Sequence, residues 1–542
     1  MGDNANDKAR LGSHSNKENS ENQMSQHKKT TRREFMKVMA AGVATASCAR
    51  LLAAERHDKP NILLIMTDQH RWDCLGCAGN SVIKTPHLDR LAREGAYFQN
   101  AFSTTPTCIP ARAALLTGLS PWHHGMIGYG LVAERYDFEM PRALNDAGYY
   151  TFAIGKLHYY PQRNYHGFQG ALLDESGRVL SPDFISDYRK WFKEKAPDLN
   201  PDATGIGWND YRSGVYVLPE DLHPTRWTGD RAVEFISTYK RDEPFMLKVS
   251  FARPHSPYDP PKRFWDMYNE SDMPEPYIGD WATKYAVKAN PKDYALWYGD
   301  LGIKQVKRSR RGYYGSITFI DEQIGRIVDA LKNRGLLDNT LILFTSDHGD
   351  MQGDHYHWRK SYPYQGSAAV PMLIRWPNSV DAKRGQRLTQ VVEIRDILPT
   401  FLDAAQAKIP DTLDGRSLLS LIRSENCKWR EYIDLEHDVC YSNTNNWAGL
   451  TDGRWKYIWY AFDGSEELFD LKEDPGEEHN LAVEPAYART VRMWRHRLIK
   501  HFEERDERFV ANGDLVLRKQ KIIYTPNYPG RPVQKYQNDA QH

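Results

Sequence analysis

The stretch Pro60-Asn-Ile-Leu-Leu-Ile-Met-Thr-Asp68 is a short, continuous apolar run that ends in a carboxylate. Because its apolar residues do not alternate with polar ones, it predicts a strand buried on both faces of a sheet. Similar runs occur at residues 150–154, 245–251, 340–345 and 370–376. Helical patterns separate them, at residues 87–94, 141–147, 229–240, 311–333 and 391–404. This alternation predicts an α/β fold in which helices sandwich a large mixed, mostly parallel sheet.

Polar and reactive residues directly follow the predicted strands. In sheets of this kind, ligands bind beyond the carboxyl ends of the strands. The residues at those ends are Asp68, Lys156, His158, His255, Asp347 and His348. Unrelated core polar residues would not be expected to gather at one edge of one sheet. We therefore interpret this edge as the functional site.

The chain changes character after about residue 425. Short strands are predicted at residues 435–438, 447–450, 455–460 and 467–471, and a helix at about residues 486–502. Thr451-Asp-Gly-Arg454 reads as a hairpin turn. We divide the chain into a disordered extension (1–30), a signal segment (31–55), a catalytic domain (56–425) and a smaller C-terminal domain of antiparallel sheet plus helix, with a tail (426–542). Residues 160–225 show little periodicity and are either substrate-facing loops or poorly ordered chain.

The N-terminus is polar through residue 30 and holds almost nothing that could form a core. Thr31-Arg-Arg-Glu-Phe-Met-Lys37 then precedes a weakly apolar run at residues 38–46. This is the layout of a twin-arginine export signal, read by the twin-arginine translocase, and the alternative is an amphipathic helix with neighbouring arginines. Export would place the protein in the periplasm or outside the cell. Cys48 could carry a lipid, although Thr45 occupies a position where an aliphatic residue is expected.

Composition limits the partners of the chain. The 542 residues carry a formal net charge of +1, so no global field draws them to nucleic acid or to an anionic membrane. No stretch beyond the signal segment is long and apolar enough to span a bilayer. Six cysteines are too few for a disulfide scaffold. Cys74 and Cys77 have zinc or redox spacing, but without a second Cys/His pair we read them as buried thiols or one local disulfide.

Cys108-Ile-Pro-Ala-Arg112 opens a predicted helix that runs through Leu116 and stops at Thr117-Gly118. Proline suits the first turn, and a helix N-terminus presents free N–H groups to an anion. A nucleophile at this point would lie where a tetrahedral oxyanion is stabilised. The alternative is a small buried thiol.

Cys108-x-Pro-x-Arg112, followed by Ala113-Ala-Leu-Leu-Thr-Gly118, resembles the signature of the type I sulfatases of the alkaline phosphatase superfamily. Further matching motifs are Asn61-Ile-Leu-Leu, Thr67-Asp-Gln69, Phe469-Asp-Leu and Asp474-Pro. The resemblance implies that a formylglycine-generating maturase oxidises Cys108 to an aldehyde, which is hydrated to a gem-diol. One hydroxyl would attack sulfur, and deprotonation of the other would expel sulfate and restore the aldehyde. Water then need not attack sulfur.

The same resemblance implies that Asp68, Gln69, Asp347 and His348 hold a divalent metal. Carboxylate and amide oxygens are hard ligands of the kind that Ca²⁺ prefers, whereas the imidazole nitrogen also suits Mn²⁺. The metal would polarise the sulfate oxygens and lower the pKa of the gem-diol. Taken alone, Asp347-His348-Gly349 could be a polar turn after a strand.

Gly155-Lys-Leu-His158 matches the G-K-x-H element of the family. The match implies that Lys156 and His158 hold the gem-diol and the sulfate, and that His158 can take the proton in the elimination step. On an extended segment both would point at one pocket, because the single residue between them faces away. A solvent-exposed lysine beside a histidine that is satisfied within the fold is the alternative.

Three further residues complete the implied site. His255, in a Pro-rich loop, would protonate the leaving-group oxygen or anchor sulfate, unless it only packs within that loop. Arg112 would hold the gem-diol and its charge. Lys360 would bind sulfate as a point charge, and Arg359 competes for that role.

The sequence departs from the family pattern at two places. Ala111 replaces the commoner Ser, and Gln365-Gly-Ser367 replaces a Glu-containing stretch. Neither change touches the implied ligands, but Gln365 puts nearby substrate contacts in doubt.

The features together favour hydrolysis of a sulfate ester, from a sulfated carbohydrate or an aryl sulfate. Two alternatives stay open. One is phosphonate monoester or phosphodiester hydrolysis, which superfamily relatives perform with the same formylglycine and a similar metal site. The other is an inactive relative that only binds sulfated glycans.

Overall fold

A computed structural model describes residues 59–181, 183–424, 428–438 and 441–530. The predicted N-terminal extension, the signal segment and Cys48 lie outside the described residues, and so do Cys427 and Cys440. Cys74 and Cys77 are free thiols, which answers the question of a local disulfide between them. Among the described residues, no helix has the length and apolarity needed to cross a bilayer.

The described residues contain a sheet of eight strands in the order β4-β3-β5-β1-β6-β7-β2-β8. The strands are β1 (Asn61–Asp68), β2 (Ala96–Phe102), β3 (Tyr150–Gly155), β4 (Gly170–Leu173), β5 (Phe245–Pro254), β6 (Thr340–Ser346), β7 (Met372–Arg375) and β8 (Gln386–Glu393). Neighbours pair in parallel, except that β7 is antiparallel to both β6 and β2. The predicted mixed, mostly parallel sheet is confirmed.

Strand β1 lies in the interior of this sheet, and all eight of its residues are buried. Its side chains alternate between two cores. Ile62, Leu64 and Met66 belong to one core, whereas Leu63 and Ile65 belong to the other. A strand covered on both faces needs apolar residues at every position, which explains its continuous apolar sequence.

Helices pack on both faces of the sheet. The α-helices of the described residues are α1 (Pro86–Arg93), α2 (Cys108–Thr117), α3 (Pro121–His124), α4 (Met140–Asp146), α5 (Asp187–Lys195), α6 (Pro224–Thr238), α7 (Lys262–Trp265), α8 (Ile303–Asn333), α9 (Gln365–Ala368), α10 (Ile397–Ala404), α11 (Leu418–Ile422) and α12 (Ala488–His501). Residues from α4, α10 and α11 join the core of Ile62, and residues from α1, α6 and α8 join that of Leu63. The sheet is therefore sandwiched between helices, as predicted.

One predicted helix, at residues 391–404, is partly wrong. Residues 391–393 form the end of β8, and a 3-10 turn over Ile394–Asp396 leads into α10. Within that turn the backbone N–H of Glu393 donates to Asp396 Oδ2 at 2.9 Å, a capping bond that stops the strand and starts the helix. In the sequence, the apolar residues at the end of the strand closely precede those of the helix, so the two elements were predicted as one helix.

The C-terminal part of the described chain contains a second sheet, antiparallel and four-stranded, in the order β12-β11-β10-β9. Its strands are β9 (Ile433–His437), β10 (Trp447–Thr451), β11 (Trp455–Tyr460) and β12 (Glu466–Asp470). Helix α12 packs against this sheet through Trp494 and Leu498, and a short pair, β13 (Val510–Ala511) and β14 (Asp514–Leu515), follows. The predicted smaller unit of antiparallel sheet plus helix is confirmed, and the boundary near residue 425 stays a prediction.

Candidate active site

Cys108 is the first residue of α2, and its side chain is fully buried. Thr107 precedes it in extended conformation, so the helix begins at Cys108 as predicted. The helix ends at Gly118, whose positive φ of 69° is the left-handed conformation that glycine adopts at helix ends. The first turn carries Cys108 to the carboxyl end of β1.

The Cys108 thiol lies among predicted metal ligands. Its Sγ is 3.1 Å from His348 Nε2 and 3.6 Å from Asp68 Oδ1. One ligand atom from each of Asp68, Cys108, Asp347 and His348 falls within a group whose members are all within 4.8 Å of one another. The structure thus brings the predicted nucleophile and three of the four predicted ligands to one point.

The tautomer of His348 suits a metal. Its Nδ1 lies 2.8 Å from the carbonyl oxygen of Gly349, which can only accept, so Nδ1 carries the proton. In the neutral ring Nε2 then carries a lone pair, and this nitrogen lies 3.6 Å from both Asp68 Oδ1 and Asp347 Oδ1. A backbone carbonyl that fixes the outer ring nitrogen is the usual arrangement of a ligating histidine. Two carboxylates and this imidazole therefore fit a divalent cation.

Gln69, the fourth predicted ligand, lies beside the group. Its backbone has a φ of 71°, and its N–H donates to Asp347 Oδ1 at 3.1 Å. The side-chain Nε2 donates to Asp350 Oδ2 at 2.5 Å, which leaves Oε1 to accept a bond from Lys360 Nζ at 2.9 Å. Asp350 thereby fixes which end of the amide faces the site.

Two buried cations pair with the carboxylates. The Arg112 guanidinium donates through Nε to Asp347 Oδ2 at 2.9 Å and through a terminal nitrogen to the carbonyl oxygen of Lys156 at 2.8 Å. Lys156 Nζ is in contact with Asp68 Oδ2 and lies 4.0 Å from Cys108 Sγ. The contacts with Lys156 and Arg112 help hold the pKa of Asp68 well below its usual range, against the opposing effect of burial.

The same charges act on Cys108, the predicted nucleophile. Burial opposes ionisation of the Cys108 thiol, and so does the Asp68 carboxylate. The positive charges of Lys156, and next of Lys360, help outweigh both effects and lower the pKa of the thiol to about 7. The site is therefore electropositive at the atom that an anionic substrate would approach.

His158 follows β3 with a φ of 60°, so the segment is not simply extended as predicted. Glu175 Oε1 accepts the backbone N–H groups of both Leu157 and His158 at 2.9 Å and holds this turn. Arg178 donates to Nε2 of the His158 ring. Burial, and next the charge of Arg178, keep the pKa of His158 well below its usual value, so the ring is neutral and able to accept a proton.

His255 and Lys360 form a hydrogen-bonded pair. His255 Nδ1 donates to the carbonyl oxygen of Ser256 at 3.0 Å, so Nε2 accepts the bond from Lys360 Nζ at 2.8 Å. The indole ring of Trp208 lies against the His255 imidazole with a centroid distance of 4.4 Å. Arg359, the competitor for the role of Lys360, is turned elsewhere and donates to the carbonyl oxygen of Ala295 at 2.8 Å.

Sequence reasoning did not single out four residues that shape this site. Asp350 orients Gln69, Glu175 holds the His158 turn, Arg178 contacts the His158 ring, and Trp208 covers His255. Asp350 lies five residues after the predicted strand end at residue 345 and could have been added on that ground. The other three lie within residues 160–225, where no periodic pattern indicated which side chains turn inward.

Gln365, where the chain departs from the family pattern, is directed towards the smaller sheet. Its Oε1 accepts a bond from Lys456 Nζ at 2.8 Å, and its backbone N–H donates to Glu477 Oε2 at 2.6 Å. Lys456 and Glu477 are themselves paired at 2.7 Å. In the described structure Gln365 thus takes part in a contact between chain segments.

Fold and site together define a hydrolase class: an α/β sheet whose strand ends bring together a buried thiol, a cluster of metal-type ligands and several cations. The Sulfatase family matches residues 60–407, and the family described as "N-sulphoglucosamine sulphohydrolase, C-terminal" matches residues 353–504. The chain belongs to the type I sulfatase family, within the alkaline phosphatase superfamily. It is accordingly an enzyme of the sulfuric ester hydrolase class.

Individual relatives agree with this placement. An arylsulfatase of Clostridium perfringens (strain 13 / Type A) is 43% identical over 472 residues, which cover 84% of this chain and 97% of the relative. A choline-sulfatase of Rhizobium meliloti (strain 1021) is 31% identical over 449 residues, covering 79% and 83%. Among solved structures, the phosphonate monoester hydrolase of Agrobacterium radiobacter superposes with a TM-score of 0.71 at 28% identity, covering 85% of this chain and 100% of the other.

Proposed function

We propose that this chain hydrolyses the sulfate ester of a sulfated carbohydrate or an aryl sulfate, with formylglycine at position 108 as nucleophile. The observation that carries the proposal is the position of Cys108 Sγ, 3.6 Å from Asp68 Oδ1 and 3.1 Å from His348 Nε2. Oxidised and hydrated, residue 108 supplies one hydroxyl that attacks sulfur and a second that, once deprotonated, expels sulfate and restores the aldehyde.

Asp68, Gln69, Asp347 and His348 would hold the metal, Ca²⁺ by the hardness of the oxygen donors and Mn²⁺ as the alternative. When bound, the metal would polarise the sulfate oxygens and favour ionisation of the attacking hydroxyl. Support comes from the lone pair of His348 Nε2, which is directed at the two carboxylates because Nδ1 donates to Gly349. Measuring the calcium and manganese content of the purified protein would identify the metal.

The cations give the sulfate its binding site. Arg112 and Lys156 each pair with a site carboxylate, so both are held in place before a substrate arrives. Lys360 is held by Gln69 and His255 and faces the same point. Three fixed positive charges around a tetrahedral anion account for sulfate binding by a chain whose net charge is only +1.

Two histidines serve the two proton transfers of the proposed reaction, one in the elimination step and one to the leaving group. His158 is neutral with its Nε2 lone pair directed at Arg178, and it accepts the proton of the elimination step once substrate draws that guanidinium away. The His255–Lys360 pair shares a proton between Nε2 and Nζ, 2.8 Å apart, and passes it to the leaving-group oxygen. Each transfer thus has its own residue.

Two partners follow from the proposal. A formylglycine-generating maturase must oxidise Cys108, and the twin-arginine translocase would export the folded enzyme through the signal at residues 31–55 to the periplasm or the outside of the cell. Anchoring of the exported protein by a lipid on Cys48 is the less favoured alternative. The signal is tested by fusing residues 1–58 to a reporter and replacing Arg32 and Arg33 with lysine, which should abolish export.

The deciding experiment is mass spectrometry of the peptide that contains residue 108, from protein expressed with a maturase. The peptide should carry the aldehyde, and release of inorganic sulfate should depend on it. An unmodified cysteine in an active preparation would overturn the proposed nucleophile.

A second candidate function is hydrolysis of phosphonate monoesters or phosphodiesters. The superposition on the phosphonate monoester hydrolase at 28% identity favours it specifically. Kinetics with matched substrates, p-nitrophenyl sulfate against a p-nitrophenyl phosphonate monoester, separate the two. A higher kcat/KM for the phosphonate would make the second candidate the function.

A further inference from the structure

The smaller, four-stranded sheet reaches the edge of the reaction centre through two residues that pair across its strands. His437 is the last residue of β9, and Trp447 is the first residue of β10, directly opposite it. Both side chains are buried. His437 Nε2 lies 2.6 Å from Thr107 Oγ1, and Trp447 Nε1 donates to the carbonyl oxygen of Ser361 at 2.9 Å. The two residues therefore hold two points of the larger unit.

These two points are chain neighbours of the proposed catalytic residues. Thr107 immediately precedes Cys108, and Ser361 immediately follows Lys360. The hydroxyls of Thr107 and Ser361 lie 2.8 Å apart, and the N–H of Ser361 donates to the carbonyl oxygen of Pro106 at 3.0 Å. The segment of the proposed nucleophile and the segment of the sulfate-binding lysine are therefore joined to each other beside the smaller sheet.

The side chain of Thr107 has an unusual use for its position. Thr107 is the N-cap of α2, where a threonine hydroxyl normally accepts a backbone N–H from the first turn of its helix. In the described structure its side chain makes no such cap bond. Pro110, the third residue of the helix, has no N–H to offer. The hydroxyl is bonded to His437 and Ser361 instead, so it ties the start of α2 to the smaller sheet.

Ser361 also depends on these contacts. Its φ of 78° is a left-handed conformation that serine adopts uncommonly. Such a conformation persists where the surrounding structure fixes it. The fixing contacts here are the Thr107 hydroxyl on the side chain and the Trp447 indole on the carbonyl oxygen. The direction in which the chain carries Lys360 into the site is set by the same contacts.

His437 contributes geometry and not charge. Burial lowers the pKa of its imidazole to about 3, so the ring is neutral, with one N–H and one lone pair. The backbone beside it is anchored, because the N–H of Glu436 donates to the carbonyl oxygen of Thr104 at 2.8 Å. The Glu436 carboxylate forms two further bonds of 2.8 Å with Arg505. The imidazole is thus a fixed hydrogen-bonding partner for Thr107.

We propose that His437 is a positioning residue of the reaction, which acts through the Thr107 hydroxyl to hold residue 108 in line with the sulfate. The inference rests on the proposed function and makes the smaller sheet part of the machinery that aligns the nucleophile. Because His437 acts on the nucleophile and does not itself bind the anion, its loss should lower kcat and leave KM nearly unchanged.

The experiment measures kcat and KM for p-nitrophenyl sulfate on full-length, maturase-treated variants, with kcat expressed per aldehyde counted by mass spectrometry. His437→Phe keeps an aromatic ring and removes the bond to Thr107, and Thr107→Val keeps the branched side chain and removes the hydroxyl. Each should lower kcat by about fivefold to tenfold, with KM within about twofold of the parent, as expected for one lost hydrogen bond. His437→Gln and Thr107→Ser retain a hydrogen-bonding group and should recover about half of the parent kcat or more.

Thr105→Val and His124→Phe are the matched controls. Within the described part of the chain, Thr105 Oγ1 and both ring nitrogens of His124 are buried without a hydrogen-bond partner, so the same substitutions remove no bond there. Both controls should keep kcat within about twofold of the parent. Circular dichroism confirms that each variant is folded. Parent-like kcat in His437→Phe and Thr107→Val, equal losses in the controls, or no recovery in His437→Gln and Thr107→Ser would overturn the proposal.

Failure of the positioning role is distinguishable from failure of the proposed function. If the parent hydrolyses a p-nitrophenyl phosphonate monoester and not the sulfate, the same variants are compared on the phosphonate. If it hydrolyses neither, alkylation of Cys108 by iodoacetamide, in protein made without maturase, supplies the measurement. The alkylation rate should then differ from that of the parent by at least about threefold in His437→Phe and stay unchanged in His124→Phe. Unchanged rates in both variants would refute the positioning role.

Discussion

The reaction centre and a cavity of about 250 Å³ lined by Asp174, Thr204 and Trp208 are built in opposite ways. In the reaction centre, Lys156 contacts Asp68 and Arg112 pairs with Asp347 at 2.9 Å, so opposite charges are matched within the protein. On the cavity, five buried polar atoms lack a partner in the described structure. The first region is preorganised for a small anion, whereas polar atoms in the lining of the second have no partner in the described structure.

The largest effect is expected from Cys108→Ala, which removes the proposed nucleophile and leaves both regions otherwise in place. Turnover should fall by on the order of 10⁴-fold or more, while the Kd for a sugar monosulfate, measured by calorimetry, should change little. Cys77→Ala is the matched control, since Cys77 is a free thiol that does not take part in the ligand group. Residual activity equal to the parent in Cys108→Ala would remove residue 108 from the mechanism.

Asp347→Asn tests whether the reaction centre depends on a bound metal. The variant loses the charge of a proposed metal ligand and the ion pair with Arg112, so metal affinity should fall at least about 100-fold and sulfate release with it. Metal content after dialysis and kcat/KM are the measurements. Asp329→Asn, at an exposed carboxylate of α8, should match the parent in both. Unchanged metal content in Asp347→Asn would discredit the ligand assignment.

His255→Asn tests the boundary between the regions, where Trp208 and Lys360 both contact the imidazole. Without a proton donor, hydrolysis of a sugar sulfate should slow by about 10²–10⁴-fold, the usual contribution of a general acid. The loss on p-nitrophenyl sulfate should be much smaller, because nitrophenolate leaves without protonation. Equal losses on the two substrates would assign His255 to sulfate binding instead.

The smallest effect is expected from Glu175→Ala. Its Oε1 accepts the N–H groups of Leu157 and His158, so the variant loosens the turn that carries His158. We expect kcat to fall by about tenfold with KM nearly unchanged, because the residue positions a proton acceptor and does not itself bind substrate. Glu194→Ala, on the exposed face of α5, serves as the control. A raised KM with normal kcat would contradict this role.

Much of the fold could be predicted from the sequence because the interior strands are recognisable as apolar runs. Strands β1, β3, β5 and β6 are continuous apolar runs, since both faces of each are covered. Strands β2, β4 and β8 were not predicted. β4 and β8 lie at the sheet edges, and β2 and β8 carry exposed polar residues, so they lack an uninterrupted run. Edge strands depend on their neighbours more than on their own composition.

The residues of the candidate site likewise fall into those that could be predicted from the sequence and those that could not. Residues at the ends of the interior strands, such as Asp68 and Asp347, could be predicted because the sheet itself brings strand ends together. Arg178 and Trp208 could not, because they reach the site from long segments whose path is set by tertiary packing. The sequence predicted residues 160–225 to be either substrate-facing loops or poorly ordered chain, and it showed no periodicity from which to choose the inward side chains.

Asp174 and Glu175 are neighbours in the chain, yet one lines the cavity and the other holds the turn of His158. The N–H of Asp174 donates to the carbonyl oxygen of Gly155 at 3.1 Å and continues the pairing of β3 with β4, so this register is fixed. Deleting a single residue here would exchange the two side chains, since successive residues of a strand face opposite ways. Libraries meant to redesign specificity should therefore randomise side chains from residue 176 onward and keep the chain length before it constant.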